Sequence, residues 1–273
     1  MARVEALLSW NMCSGPQVKP DRATKVRRLA HLATMLRDHA PSLIALQEAP
    51  SAANVRTALG VSFDVESTPN GVVSAYDTRL WNCDEREATD PRILVLGLRA
   101  VGAGTNLWMI NVHGPALYVE VADRQDFIRA VARRLEALRR SDPDRREILV
   151  GDLNLPPFDQ AIMREKDLHA SRSLPWVMSR ASGLNRALFN PTWRILGRHD
   201  GASGTLYKSG ISFDGPWRAF DQVMVSAELA NGLALDVVEN IGGVALRKSG
   251  RVGAPNAATG SDHLPLLAKV SVP

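Results

Sequence analysis

The sequence contains few cysteines, no long hydrophobic run and no recognisable targeting segment. Its two cysteines, Cys13 and Cys83, allow at most one disulfide, so a disulfide framework is excluded and two reduced thiols are expected. No stretch approaches the roughly 18 consecutive apolar residues of a transmembrane helix. The N-terminal run MARVEALLSWNM is interrupted by Glu5 and Asn11 and does not resemble a signal peptide. We therefore expect a cytoplasmic protein that does not bind a membrane.

Internal repeats, low-complexity tracts and convincing linkers are also missing. A chain of 273 residues with 45% hydrophobic and 23% charged residues is large enough to bury a core without covalent staples. We expect residues 1–273 to form a single domain, and no obligate protein partner or oligomeric state is indicated. The net charge of +4 suits a polyanionic substrate such as nucleic acid, although it lies within the ordinary range of soluble domains.

Short apolar runs alternate with amphipathic stretches, which is the pattern of an α/β protein. Strands are predicted at residues 4–9, 42–46, 71–76, 92–99, 106–112, 148–150, 220–225, 234–238 and 264–272. One helix is predicted to begin after Asp21, and a second to cover residues 119–140. Their apolar stripes are Val26, Leu29, Ala33 and Leu36 in the first helix, and Ile128, Val131, Leu135 and Leu138 in the second. Residues 168–218 lack periodicity and are predicted to form long loops on the functional side.

Polar side chains that bind metal or transfer protons follow the apolar runs. These residues are Asn11, Glu48, His113, Asp152, Asn154, Asp221, Asp262 and His263. A single aspartate after a strand is usually a cap or turn residue, and a single histidine is usually structural. So many such positions at strand ends are hard to explain as turn chemistry. Asn111 and His113 alternate along one run, so both are expected on the same face of a strand.

Hydrolysis of a phosphate ester needs this mixture of side chains. Mg²⁺ prefers oxygen ligands, which Glu48, Asp262, Asp152 and the amide oxygens of Asn11 and Asn154 can supply, and Mn²⁺ can substitute for it. A histidine near its unperturbed pKa accepts a proton from water, and a carboxylate orients it. Asp221 and His263 fit that pairing, while His113 can donate to a phosphate oxygen. Zinc is the alternative metal, but two histidines without a thiolate cluster make it the weaker candidate.

The ordered motifs resemble the endonuclease/exonuclease/phosphatase (DNase I-like) superfamily. They are Asn11, LQE at 46–48, NVH at 111–113, GDLN at 151–154, FDQVMVS at 220–226 and SDHLP at 261–265. The resemblance covers essentially the whole chain and implies a four-layer α/β sandwich, with two packed mixed β-sheets flanked by helices, in one catalytic domain.

The resemblance also implies residue roles. Glu48, Asn11 and Asp262 would bind the metal, Asp152 and Asn154 would position water and phosphate, and His263 with Asp221 would serve catalysis. His113 would contact the phosphate. A mid-chain glutamate that supports this histidine in DNase I-like members has no obvious equivalent, and Tyr76 or Asp77 is the substitute that the sequence offers.

Three functions remain open at this point. The first is a nuclease whose residues 168–218 form a basic, aromatic rim around the site. The rim residues would be Arg172, Arg180, Arg186, Arg194, Arg198, Lys208 and Arg218, with Trp176, Trp193 and Trp217. The second is a phosphatase or phosphodiesterase acting on inositol phosphates, phospholipids or other small phosphoesters. The third is a binding module that has kept the fold without activity, and the intact set of site residues argues against it.

Overall fold

Strands and helices alternate along the chain in the computed structural model, which describes residues 3–14, 20–102, 104–209, 215–249 and 253–272. The first strands in chain order are β1 (Arg3–Asn11), β2 (Leu43–Gln47), β3 (Phe63–Ser67), β4 (Val73–Asp77), β5 (Trp81–Asp90), β6 (Ile93–Ala100), β7 (Asn106–His113) and β8 (Arg146–Asp152). They are followed by β9 (Ala170–Ser171), β10 (Leu188–Phe189), β11 (Leu206–Tyr207), β12 (Trp217–Arg218), β13 (Asp221–Ser226), β14 (Ala234–Val237), β15 (Asn240–Ile241), β16 (Val244–Ala245) and β17 (Leu266–Val272).

The helices lie between these strands. They are α1 (Arg22–His39), α2 (Ala52–Leu59), α3 (Val121–Ser141), α4 (Gln160–Met163), α5 (Leu174–Met178) and α6 (Trp193–Leu196), with a 3-10 turn at Ala227–Leu229. The α1 helix begins where predicted, because the Asp21 carboxylate accepts a hydrogen bond from the Thr24 amide at 2.7 Å. It ends at Ala40, which adopts a left-handed conformation before Pro41. None of the described helices combines the length and the apolarity that a membrane span requires.

Two large mixed sheets form the centre of the fold. The first sheet has the strand order β14-β17-β1-β2-β4-β3, and the second has the order β5-β6-β7-β8-β13-β10-β9. The pairs β1–β2 and β7–β8 are parallel, whereas β17 and β13 run antiparallel to β1 and β8. Two parallel pairs therefore direct their carboxyl ends to one edge of the molecule.

Strand β6 of the second sheet is apolar on both faces, which requires a packed layer on each side. Leu94, Leu96 and Leu98 of β6 contact the core between the two sheets. Ile93 and Val95 of the same strand pack in a separate core against α3. The predicted stripe of α3 supplies that second core: Ile128, Val131, Leu135 and Leu138. With Leu32 and Met35 of α1 packed on the first sheet, the layers are helix, sheet, sheet and helix, and the predicted four-layer α/β sandwich is confirmed.

Candidate active site

Three of the predicted site residues lie in one row across three adjacent strands. His113 is the register partner of Asp152, and Asp152 is the register partner of Asp221. Side chains alternate between the two faces of a strand. Met109 of β7 and Ile148 of β8 contact the core between the sheets, so His113 and Asp152, placed an even number of residues later, face the same way. The row thus closes one end of the interior between the sheets.

Asn111 shares this inward face with His113, as predicted, but it is completely buried below the site. Its amide oxygen accepts a hydrogen bond from Gln47 Nε2 at 2.7 Å, and its amide nitrogen donates to Val73 O at 2.9 Å. These bonds tie β7 of one sheet to β2 and β4 of the other. This buried, hydrogen-bonded amide fixes the relative position of the two sheets directly beneath the row of His113, Asp152 and Asp221.

The first sheet contributes Asn11 at the end of β1 and Glu48 just after β2. Asn11 Nδ2 donates to Asp152 Oδ2 at 3.0 Å and lies 3.5 Å from Glu48 Oε1. One amide therefore draws together carboxylates from both sheets. The Asn11 oxygen accepts the backbone N–H of Cys13 at 3.0 Å, so it faces the turn in this arrangement. The role of Asn11 as a metal ligand stays a prediction.

His263 and Asp221 form a buried hydrogen-bonded pair. His263 Nδ1 lies 2.8 Å from Asp221 Oδ2, and a carboxylate can only accept, so the ring donates through Nδ1. The other nitrogen, Nε2, is 4.0 Å from Asp152 Oδ2. Thr205 Oγ1 donates to the same Asp221 oxygen, and Trp10 Nε1 donates to the His263 carbonyl at 3.1 Å. The ring is thus held in one orientation, with a proton on Nδ1.

The electrostatic surroundings change the pKa of His263 from the value assumed in the sequence analysis. Burial lowers the pKa, but the charge of Asp221, its hydrogen bond, and the charges of Asp152 and Asp262 outweigh that effect and raise the pKa to about 10. The expectation of an unperturbed histidine is therefore wrong for the metal-free protein, in which His263 is an imidazolium at neutral pH.

Asp152 is fully buried, and its pKa is raised by desolvation and by the neighbouring Asp221. The charges of His263 and His113 and the hydrogen bond from Asn11 oppose that rise. The preceding Gly151 adopts φ 134°, and a Cβ there would lie 2.0 Å from the Val112 carbonyl oxygen. Glycine is therefore required before Asp152, which explains the first residue of the GDLN motif.

Asn154 adopts a left-handed conformation with φ 52°. Its backbone N–H donates to Asp152 Oδ1 at 2.9 Å, and its Nδ2 donates to Gly114 O at 3.2 Å. Arg124 of α3 is buried and donates to the Asn154 carbonyl at 2.6 Å. The Asn154 backbone and amide nitrogen are thus committed to the scaffold, which leaves its amide oxygen as the group available to a ligand.

His113 has a different partner from those suggested by the sequence. Its Nε2 lies 3.5 Å from Glu48 Oε1. Tyr76 donates instead to Asp64 Oδ2 at 3.0 Å, and Asp77 pairs with Arg79 at 2.6 Å. Neither of the two expected substitutes therefore supports His113. The structure joins His113 to the site through Glu48.

An open crevice of about 460 Å³ lies over the row. Six predicted site residues line it: Glu48, His113, Asp152, Asn154, Asp262 and His263. Asn11 and Asp221 lie behind this lining and contact it through Asp152 and His263. Asp262 is exposed at the mouth. Desolvation opposes its ionisation, but His263 and hydrogen bonds from Cys13 and Ser261 lower its pKa overall.

The donor set fits a divalent cation. Glu48, Asp152 and Asp262 line one crevice, and four carboxylates including Asp221 are opposed by two histidines. Asp152, Asp221 and His263 bring potential ligand atoms within 4.8 Å of one another. Among the residues that the structure describes, none hydrogen-bonds to the buried Oδ1 of Asp221. This tight group differs from the predicted ligands. The carboxylates of Glu48 and Asp262 fit a hard cation better than this group does, because His263 Nδ1 is already hydrogen-bonded to Asp221.

Much of the expected basic rim lies elsewhere. Arg186 is buried, forms an ion pair with Glu147 and donates to the Arg145 carbonyl at 2.7 Å, so its assignment to the rim is wrong. Arg198 pairs with Asp236 at 2.6 Å. From residues 168–218, the crevice is lined by Leu206, Tyr207 and Lys208. Trp217 supports this wall, because its ring packs edge-on against Tyr207 with the centroids 5.5 Å apart.

Sequence reasoning missed several residues around the site. Arg92 and Tyr118 line the crevice, and Arg92 Nη1 lies 3.3 Å from the Gly114 carbonyl. Ser261 donates to the Asn11 carbonyl at 2.8 Å and accepts the His263 N–H at 3.2 Å. The position of Ser261 inside the SDHLP motif was a usable signal. Thr205 lies in the aperiodic segment, where no local pattern marks it.

Comparison with known proteins agrees with this geometry. Residues 8–263 match the model of the Endonuclease/Exonuclease/phosphatase family. The chain therefore belongs to that family, whose members are phosphoester hydrolases. A search of curated proteins found no match.

Solved structures share the fold at low sequence identity. An endonuclease/exonuclease/phosphatase family protein from Bacteroides thetaiotaomicron has a TM-score of 0.67 at 15% identity, covering 100% of this chain and 99% of its own. A mannosyl-6-phosphatase from the same species has a TM-score of 0.63 at 14% identity, covering 97% and 99%. TDP2 from D. rerio, complexed with a single-strand DNA product, has a TM-score of 0.61 at 16% identity, covering 98% of each chain.

Proposed function

We propose that this protein is a divalent-metal-dependent nuclease that hydrolyses phosphodiester bonds of DNA or RNA with an activated water. The observation that carries the proposal is the pairing of His263 with Asp221 at 2.8 Å, with the free ring nitrogen directed toward Asp152. In this proposal His263 is the proton acceptor, Asp221 behind it is the orienting carboxylate, and carboxylates that line the open crevice are the oxygen ligands. Family membership supports a phosphoester hydrolase.

The metal in this proposal is Mg²⁺, with Mn²⁺ as a substitute. Glu48 and Asp262 would hold it with Asn11 nearby, since carboxylate and amide oxygens are the ligands that hard cations prefer. When bound, the cation polarises the phosphoryl oxygen and stabilises the leaving oxyanion. It would leave the buried His263–Asp221 pair intact, because Asp221 faces the ring and lies behind the crevice lining.

His263 acts as the general base in this proposal. Its Nδ1–H remains on Asp221, while Nε2 takes the proton from water. The charges of Asp152 and Asp262 contribute to the high pKa of His263 in the metal-free protein. A cation held by Glu48 and Asp262 would offset the charge of Asp262 and would thereby lower the pKa of His263. Asp152 and the Asn154 oxygen position the water, and His113 donates to a phosphate oxygen.

The walls of the crevice favour nucleic acid as the substrate. Arg92 and Tyr118 line the crevice together with Tyr207 and Lys208. Tyr207 and Lys208 directly follow Leu206, which forms a β-bridge with His263. Tyr118 is 89% exposed, so its ring is available for stacking on a base. Cations that contact phosphates and aromatic rings that stack on bases are the features of a single-stranded nucleic-acid surface.

The alternative keeps the chemistry and changes the substrate to a small phosphoester. The bounded crevice of about 460 Å³ is large enough for a sugar phosphate or an inositol phosphate, and small-molecule sites commonly measure about 300–1,000 Å³. The structural similarity to a mannosyl-6-phosphatase supports testing this class.

A hydrolysis panel separates the two candidates. The purified protein is stripped with EDTA and assayed with Mg²⁺ or Mn²⁺ on labelled single-stranded DNA, double-stranded DNA, RNA, inositol phosphates, mannose 6-phosphate and bis-p-nitrophenyl phosphate. We expect no turnover in EDTA, recovery with either cation, and the highest kcat/KM on a nucleic acid. Turnover on monoesters alone would replace the nuclease with a phosphatase, and full activity in EDTA would remove the metal from the proposal.

A further inference from the structure

Helix α1 buries a different face from the apolar stripe that the sequence predicts, and this buried face carries polar side chains. Val26, the first residue of that stripe, is 59% exposed. Arg28 is only 4% exposed and His31 only 8%. A buried arginine requires hydrogen-bond partners that compensate for its desolvation. The partners of these side chains show what the face does.

Three α1 side chains contact three successive backbone carbonyls. Arg27 Nη1 donates to Ala258 O, His31 Nε2 lies 2.6 Å from Thr259 O, and Arg28 Nε donates to Gly260 O at 2.7 Å. The next residues along the chain are Ser261, Asp262 and His263. The segment that leads into the candidate metal ligand and the candidate base is therefore held by a helix.

Arg28 also contacts a second loop. Its Nη1 donates to Met12 O at 2.7 Å and to Ser14 Oγ at 2.9 Å, and it contacts Cys13 O as well. This loop follows Asn11, and Cys13 in it has a φ of 47°, a conformation that non-glycine residues rarely adopt. Within the described part of the chain, no carboxylate forms an ion pair with Arg28. The Arg28 guanidinium therefore hydrogen-bonds to both loops, through Nε to residue 260 and through Nη1 to residues 12–14.

We propose that Arg28 and His31 are positioning residues that fix the loops at 12–14 and 258–262, and through them the geometry of the metal-binding carboxylates. The inference rests on the proposed function for the identity of that site. Neither residue lines the crevice, so both act through the backbone. Supporting groups of this kind typically change metal affinity by about 10–100-fold when they are removed.

Substitutions in α1 provide graded tests. Arg28→Lys keeps the charge but has no planar fork, so it cannot hold both loops at once. His31→Ala removes only the contact with Thr259, and His31→Gln restores a donor at a similar position. Arg37→Ala is the matched control, because Arg37 lies on the same helix and its hydrogen bond to Thr34 stays within that helix.

Two readouts are measured on the full-length protein without turnover. Mn²⁺ binding is followed by electron paramagnetic resonance, and amide hydrogen exchange is followed in the metal-free protein. We expect Arg28→Lys to weaken Mn²⁺ binding by about tenfold or more and to speed exchange at residues 12–14 and 258–264, while exchange within α1 stays as in wild type. His31→Ala should show a smaller effect confined to 258–264, reversed in His31→Gln, and Arg37→Ala should show none.

Each outcome bears on the proposal. Unchanged Mn²⁺ affinity and unchanged loop exchange in both Arg28→Lys and His31→Ala would overturn it, as would equal effects in Arg37→Ala. If Arg28→Lys fails to fold, the His31 pair of variants decides the question alone. If wild type binds no Mn²⁺, the proposed function fails, and the exchange comparison still establishes whether α1 holds the two loops.

Discussion

Replacement of Asp221 by asparagine probes the buried pair with the smallest change of shape. Asp221 Oδ2 accepts from His263 at 2.8 Å and also from Thr205, while Oδ1 has no hydrogen-bond partner within the described ranges of the chain. The amide oxygen can replace Oδ2 in both contacts, and the amide nitrogen then fills the place of the unpartnered oxygen. The variant should therefore fold, but the charge that stabilises the imidazolium is lost. Because general-base assistance contributes roughly 10²–10⁴-fold, we expect kcat on bis-p-nitrophenyl phosphate to fall within that range, with KM little changed.

The same variant tests the pKa of His263. Asp221 is the first of the groups that raise this pKa to about 10 from an ordinary value of 6.5, so Asp221→Asn should lower it, as measured by NMR titration of the metal-free ring. A raised pKa means that the native state favours the protonated ring. The pair therefore stabilises the metal-free wild type fully below pH 6.5, and this contribution is lost as the pH rises through about 10. Denaturation curves measured at different pH should show no such loss of stability for the Asp221→Asn protein. Normal kcat or an unshifted His263 pKa in a folded Asp221→Asn protein would refute the reasoning.

Variants at Glu48, Tyr118 and Cys13 test the metal ligand, the substrate contact and the role of the thiol. Glu48→Gln should weaken Mg²⁺ activation by about tenfold or more without lowering the melting temperature, and a wild-type metal titration would show that Glu48 is not a ligand. Tyr118→Ala should raise KM severalfold for a single-stranded oligonucleotide and spare the small diester, Tyr118→Phe should keep most of the affinity, and the exposed Val61→Ala serves as control. Cys13→Ser should remain active, because burial and the charges of Asp262 and Glu48 raise the pKa of the Cys13 thiol to about 12, and rapid alkylation of folded wild type with loss of activity would contradict this.

Helix periodicity predicted burial correctly where one face of a helix packs against a single apolar layer. The stripe of α3 is correct because its four residues contact only the second sheet and its neighbours. The predicted stripe of α1 is exposed at Val26 and only partly buried at Leu29, Ala33 and Leu36. The helix instead buries Leu32 and Met35 together with Arg28 and His31, whose side chains contact backbone carbonyls. Periodicity records apolar burial and carries no information on side chains whose burial depends on hydrogen bonds.

The β5 strand shows a second limit. Its sequence, WNCDEREATD, is mostly polar, and it lies at the edge of the second sheet. Arg86 in this strand pairs with Glu66 at 2.7 Å. An edge strand needs only part of one face to be apolar, and charged residues protect its free edge. Neither feature produces the alternating pattern from which strands are predicted.

The candidate site was easier to predict than its surroundings. Polar residues converge because the carboxyl ends of the parallel pairs β1–β2 and β7–β8 and the start of the antiparallel strand β13 lie at one edge. The register places His113, Asp152 and Asp221 in one row. Arg186 was misplaced because a basic residue in an aperiodic segment has the same sequence signature whether it faces solvent or a buried glutamate. Here it contacts Glu147. The residues that support His263, such as Thr205, are distant in sequence and belong to no motif.

In the proposed mechanism, water activated at His263 attacks phosphorus in a metal-dependent reaction. The direct measurement is hydrolysis of a phosphodiester in ¹⁸O-labelled water with Mg²⁺, followed by mass spectrometry of the phosphate product. We predict one ¹⁸O atom on phosphorus for each bond cleaved, no phosphorylated protein, and no product in EDTA or with His263→Ala. Product whose phosphate carries no ¹⁸O, or labelled product formed at the wild-type rate in EDTA or by a folded His263→Ala protein, would contradict the account.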